Sequence, residues 1–192
     1  MSFDVLDRAH AALRATTAGL TPADLTRPTP CEHWDVAQVL QHAAGDQRAY
    51  AFFLTGSDGP TADPFAPDGV LDATPLDLVG PAIDASSRAY AAVDPDGTAA
   101  TPLPQGVLPA ATAAGAAALD AAVHAWDIAM AVGQDSPLDD DLAALILPTA
   151  RALVEPLRQW GAYAAEVPAS SSAEGAAAEL LRYLGRDPHW TA

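Results

Sequence analysis

Asp120 and His124 stand four residues apart inside the alanine-rich run LDAAVHAWDIAMAVGQ, residues 119–134. That spacing is close to one helical turn, so a carboxylate and an imidazole project from the same side. Neither favours a helix as alanine would. Together they can share one divalent ion: borderline ions such as Zn²⁺ accept imidazole nitrogen and carboxylate oxygen, and a catalytic site keeps one position for water or substrate. The same spacing is common as a weak surface pair, so it leaves both readings open. A metal site would need a third ligand from a facing helix, as helical bundles commonly supply.

The chain has five histidines. His33, in CEHWD, and His189, in RDPHW, read as solvated polar residues. His10 falls on an apolar stripe, where a lone histidine is usually a hydrogen-bonded packing residue. His42, in VAQVLQHAAGD, lies opposite Leu40 on the helical wheel and shares its face with Gly45, Ala49 and Phe53. Periodicity alone allows that face to be solvent or a ligand-bearing surface.

The elements that must position these groups are helical. Thr21-Pro-Ala-Asp, Thr74-Pro-Leu-Asp and Ser136-Pro-Leu-Asp each read as a hydroxyl cap, a proline at the first helical position and an acid near the positive helix end. Start signals and apolar periodicity predict helices over about 2–19, 35–55, 75–93, 109–132, 138–161 and 173–185. The segment from Thr21 is a short turn of helix before Pro28 and Pro30 interrupt it. Residues 56–73 and 94–108, rich in Gly, Pro and Asp, are loops, with room for a short extended piece in the second. The stripes Phe3, Leu6, His10, Leu13; Val36, Val39, Leu40, Ala43, Tyr50, Leu54; and Leu119, Val123, Trp126, Met130 are core faces. Asp120, His124 and Asp127 run about 100° around from the last of these, on a flank that can look into a cavity of the bundle. The fold class is all-α, a four-helix bundle with additional short helices, in one domain over 1–192.

Composition narrows the function classes. Half of the 192 residues are hydrophobic and only 6% aromatic, so the core is lined by small side chains. The net charge is −16, and all nine basic residues are Arg. An acidic surface repels phosphate backbones, which argues against a nucleic-acid partner; it also serves solubility. The single cysteine, Cys31, excludes a disulfide framework within the chain and fits a reducing cytoplasm. The N-terminal run carries Asp4 and Asp7 and does not read as a signal peptide. No apolar run approaches the ~20 residues of a membrane span. Small-residue helix faces permit a helix-to-helix homodimer.

Three pieces, TPCEHWDVAQVLQHAAG (29–45), LPQGVLPAATAAGAAALDAAVHAWDIAMAVGQ (103–134) and AAELLRYLGRDPHW (177–190), resemble in order the DinB/YfiT-like metalloenzyme superfamily. They are most similar to its actinobacterial branch, related to the N-terminal domain of mycothiol-dependent maleylpyruvate isomerase. The resemblance implies a four-helix bundle holding a divalent metal, Zn²⁺ or Ni²⁺, on one His of the second helix and an acid/His pair of a later helix. Those positions are His42, Asp120 and His124. The family's acid is usually Glu; Asp120 is shorter by about 1.5 Å, one carbon–carbon bond. The site has then tightened, taken a bridging water or lost affinity. The isomerase also has a further C-terminal domain, for which little of this chain remains, so its particular substrate is not carried over.

The resemblance implies an enzyme using mycothiol or a similar thiol for S-transfer to an electrophile or for isomerisation, the metal holding the thiolate. An Arg would bind an anionic part of thiol or substrate; Arg48, Arg182 and Arg186 are candidates. Asp127 either orients a ligand or Arg, or makes a structural hydrogen bond. Cys31 reads as a small buried residue rather than a nucleophile. Two alternatives stand beside this reading: a non-catalytic binding or regulatory module with a structural or lost metal site, and a metal-dependent hydrolase.

Overall fold

The structure, a computed structural model, describes residues 3–159, 161–169 and 174–192. Six helices carry it: α1 (Asp4–Ala18), α2 (Val36–Thr55), α3 (Pro75–Ala91), α4 (Ala110–Val132), α5 (Asp140–Arg158) and α6 (Ala176–Tyr183). The expected helix ends at Ser2 and Ala173, and Trp160 in the expected fifth helix, lie outside the described residues. A hairpin of β1 (Thr98–Ala100) and β2 (Val107–Pro109) is the short extended piece before α4, with Ala99 opposite Leu108. Pro22–Asp24 form a single 3₁₀ turn behind the Thr21 cap.

Local chemistry explains the starts. Asp35 accepts from the Gln38 N–H at 2.9 Å while Gln38 accepts from the Asp35 N–H at 3.1 Å, a reciprocal cap that opens α2. Thr74 caps α3 through the Asp77 N–H. Ser136 does not cap α5 as its motif suggests. Its hydroxyl is turned onto Leu138, and Asp139, accepting from the Leu142 N–H at 2.7 Å, opens the helix instead. Two capping residues compete three positions apart, and the carboxylate, with a charge toward the helix dipole, wins.

The fold is all-α. Helix α1 lies along α4 and α2 along α3, and α2 also meets α4, closing a four-helix bundle; α5 packs on the outer side of α4 and α6 on α5. Leu6, Leu13, Val39, Leu40, Tyr50 and Trp126 are buried, as the stripes require, whereas Met130 is only half-buried. Each fully buried large side chain contributes about 1.5–3 kcal/mol. Helix α4 is buried on nearly every side, so its alanines are consumed by neighbours in the same chain. Close approach needs that composition: a Cβ on Gly115 would stand 2.5 Å from Thr149 Oγ1 of α5. No helix among the described residues is long and apolar enough to cross a membrane.

The face of α2 that bears His42 is not solvent. The proline-rich segment around Pro64 and Phe65 lies across it, close enough that a Cβ on Gly45 would meet Pro64 Cγ at 2.9 Å. His42 is buried as a result. An irregular loop covers this face, and a helical wheel registers only regular partners.

Candidate metal centre

The bundle brings His42 of α2 against Asp120 and His124 of α4. His42 Nε2 and His124 Nε2 each stand 3.5 Å from Asp120 Oδ1. The two rings meet edge to face with centroids 4.8 Å apart. Their side chains are only 8–10% exposed.

Hydrogen bonds at the far ring atoms settle the tautomers. His42 Nδ1 donates to the Pro64 carbonyl at 2.8 Å, and His124 Nδ1 donates to Asp127 Oδ2 at 3.0 Å. With Nδ1 as the donor in each neutral ring, both Nε2 atoms carry lone pairs. In the neutral rings two nitrogen lone pairs and a carboxylate oxygen therefore converge, an arrangement that draws in a cation, either a proton or a metal ion. Two ligands each about 2.1 Å from a tetrahedral ion stand about 3.4 Å apart, and the two separations to Asp120 match that span. All three donor atoms lie within 4.8 Å of one another, and two nitrogens with one carboxylate oxygen are a donor set suited to Zn²⁺ or Ni²⁺. Asp120 Oδ1 lies 3.5 Å from both imidazole nitrogens, close enough for the shorter acid to share one ion with them.

The electrostatics agree. Burial opposes a charge on His42, but its hydrogen bond to Asp120 and the charges of Asp46 and Asp120 outweigh it and raise the imidazole to about 9. Burial likewise works against ionised Asp120, yet both histidines and Gln47 hold its carboxyl below the usual range. The field that would hold a metal ion thus draws a proton to His42. Asp46, one turn beyond His42, has its Oδ2 3.8 Å from His42 Nε2. Burial and the Asp120 charge push its carboxyl up to about 7. The sequence reading missed Asp46, although His42 and Asp46 show the same four-residue spacing that singled out Asp120 and His124.

Asp127 does both things the sequence left open. It holds the His124 ring and is itself gripped by Arg186, whose Nε and Nη2 each donate at 2.7 Å to its two oxygens. Arg186, three residues past α6, is thereby spent on Asp127. Arg182 is spent too, on Glu174 and the Pro168 carbonyl. Arg48 is half-buried and lines a cavity of about 350 Å³ bounded by α2 and the Pro64 segment.

Cys31 comes near His124 and Asp127. Both Asp127 oxygens in that trio already accept from the Arg186 guanidinium. Burial pushes the Cys31 thiol up to about 12, which disfavours the thiolate that a nucleophile needs. Trp34, from the same TPCEHW stretch, packs its ring 4.8 Å from that of His42. His33 turns the chain in a left-handed conformation at φ 74° and, like His189, is exposed. His10 is buried and hydrogen-bonded, as its stripe predicts, and its burial lowers its basicity.

Residues 6–129 match the family described as the mycothiol maleylpyruvate isomerase N-terminal domain. Uncharacterized proteins from two strains of Mycobacterium tuberculosis are each 33% identical to the chain over 181 residues, covering 93% of it and 94% of the relative. Crystal structures of the mycothiol-dependent maleylpyruvate isomerase and of a mutant of it superpose with a TM-score of 0.57 at 16% identity. The match covers 78% of this chain and 66% of the isomerase, and at that identity it bears on the fold alone.

Proposed function

Since the chain belongs to the family of mycothiol maleylpyruvate isomerase N-terminal domains, we propose that it is a metal-dependent enzyme of the cytoplasm, joining a low-molecular-weight thiol of the mycothiol type to an electrophile or using that thiol to isomerise one. The observation that carries this reading is the convergence of the His42 and His124 Nε2 lone pairs on Asp120 Oδ1. In it, His42, Asp120 and His124 hold Zn²⁺ or Ni²⁺. When bound, such an ion supplies a Lewis acid that lowers the pKa of a thiol at its open position. The chain supplies the rest. Pro64 and Asp127 keep both imidazoles in the ligating tautomer. Trp34 and Phe65 pack on the His42 ring, which is buried, and burial strengthens the charge interactions around it.

A second reading, a structural metal in a non-catalytic module, is favoured by the low exposure of the three side chains. The two part on exchange. Protein loaded with Zn²⁺ and given mycothiol with a panel of electrophiles, maleylpyruvate among them, should consume thiol or isomerise substrate, and His124→Ala should not. A loaded protein that turns over nothing across the panel, with no thiol-dependent change in the spectrum of its Co²⁺ form, would support the structural reading.

A further inference from the structure

Behind the proposed metal centre runs a hydrogen-bond chain that takes one residue from each helix of the bundle: Ser87 of α3, His10 of α1, Gln47 of α2 and Asp120 of α4. Gln47 is fully buried. Its Nε2 faces two acceptors, the Ala117 carbonyl at 3.1 Å and Asp120 Oδ2 at 3.2 Å. Only the NH₂ side of the amide can satisfy both, so the flip is determined. Oε1 then faces His10 Nε2 at 2.8 Å, and that nitrogen must carry the proton. His10 Nδ1 is left to accept from the Ser87 hydroxyl at 2.9 Å. Every donor has one acceptor, and the chain has a single direction, from Ser87 to the carboxylate.

We propose that Gln47, aligned by His10 and Ser87, is a positioning residue that fixes Asp120 as a one-oxygen metal ligand. The proposal rests on the metal-centre reading above. Oδ2 is engaged by the Gln47 amide, and Oδ1 is the oxygen turned to both imidazoles. With Oδ2 so engaged, rotation of the carboxylate to offer both oxygens to one ion would cost the Gln47 hydrogen bond. A coordination position stays available for an exchangeable ligand. The amide does not pass protons along the chain; its role is to set the carboxylate's orientation. A hydrogen-bonded partner of a ligand is worth about 10–100-fold in metal affinity.

The test uses the full chain stripped of metal. Zn²⁺ affinity is measured by competition with a chromophoric chelator, and the visible absorption of the Co²⁺ form reports the coordination number. Folded Gln47→Leu, its fold checked by circular dichroism, should bind Zn²⁺ about 10–100-fold more weakly, with Co²⁺ bands losing intensity as Asp120 takes up two-oxygen coordination. Unchanged affinity in folded Gln47→Leu overturns the proposal. Should Gln47→Leu not fold, His10→Phe and His10→Gln decide. Phe removes the donor to Gln47 and should weaken binding; Gln can place an amide N–H there and should restore it. His10→Phe binding as tightly as wild type overturns the proposal. Wild type that takes up no Zn²⁺ removes the metal-centre reading as well, whereas wild-type uptake with unaltered variants removes only the role of Gln47.

Discussion

Arg186 holds both oxygens of Asp127 at 2.7 Å from a point 59 residues further along the chain, and both residues are buried. The segment after α6 is thereby tied to the helix that carries the proposed metal ligands. The Arg186 guanidinium and His124 keep the Asp127 carboxyl below the usual range although burial alone would raise it. Stability from such a depressed carboxylate is present above its unfolded pKa and is lost as pH falls through its folded pKa. Arg186→Met leaves Asp127 buried without its counter-ion, which costs about 3–5 kcal/mol. Thermal denaturation at neutral pH should show that loss. In the wild type the contribution of Asp127 should be lost only below the ordinary carboxylate range, about pH 4.

Replacing Asp120 by Glu, the acid usual in the resembling superfamily, should harm this protein. The carboxylate already sits at ligand spacing from both imidazoles and its side chain is 10% exposed. An extra methylene in a filled site costs about 1–3 kcal/mol and displaces the donor oxygen. Asp120→Glu should lower both the melting temperature and the Zn²⁺ affinity, by calorimetry and chelator competition. Higher affinity in the variant would mean that the site is not tightened around Asp.

Metal uptake should compete with protons at His42. Its pKa of about 9 without metal means that the ligating lone pair is mostly protonated at neutral pH. Binding then releases about one proton from His42, and Zn²⁺ affinity should rise about tenfold per pH unit until pH approaches 9. For the metal-free fold the sign is reversed. A raised His42 pKa contributes stability in full below the unfolded value near 6.5, and that contribution fades as pH rises through about 9. Isothermal titration in buffers of different ionisation enthalpy counts the proton.

Gly45→Ala should loosen the cover over His42. The new Cβ would meet Pro64 at 2.9 Å, and either the segment or the helix must give. The hydrogen bond from His42 Nδ1 to the Pro64 carbonyl is the contact most exposed to that shift. A destabilisation of about 1–3 kcal/mol is expected, together with faster hydrogen exchange in α2 around His42, read by mass spectrometry.

The helices were legible because apolar periodicity and end signals agree over long stretches. So was the pairing of Asp120 with His124, since one helical turn fixes it without tertiary information. His42 needed the family resemblance, because the loop that buries it carries no pattern. Arg186 could not be ranked among the arginines: its partner Asp127 is remote in sequence, and nothing local marks the pair. Gln47 left a readable trace. It occupies the apolar stripe of α2 between Ala43 and Tyr50, where a polar side chain requires a buried partner. Ser136 misled because a stronger cap, Asp139, stands one turn later.

The central claim is that His42, Asp120 and His124 hold a metal ion. Metal analysis of protein purified without added metal or an affinity tag, beside His124→Ala, tests it most directly. The account predicts close to one Zn²⁺ or Ni²⁺ per chain in the wild type and none in a folded variant. A metal-free wild type that also refuses supplied Zn²⁺, or a variant that retains the metal, would contradict it.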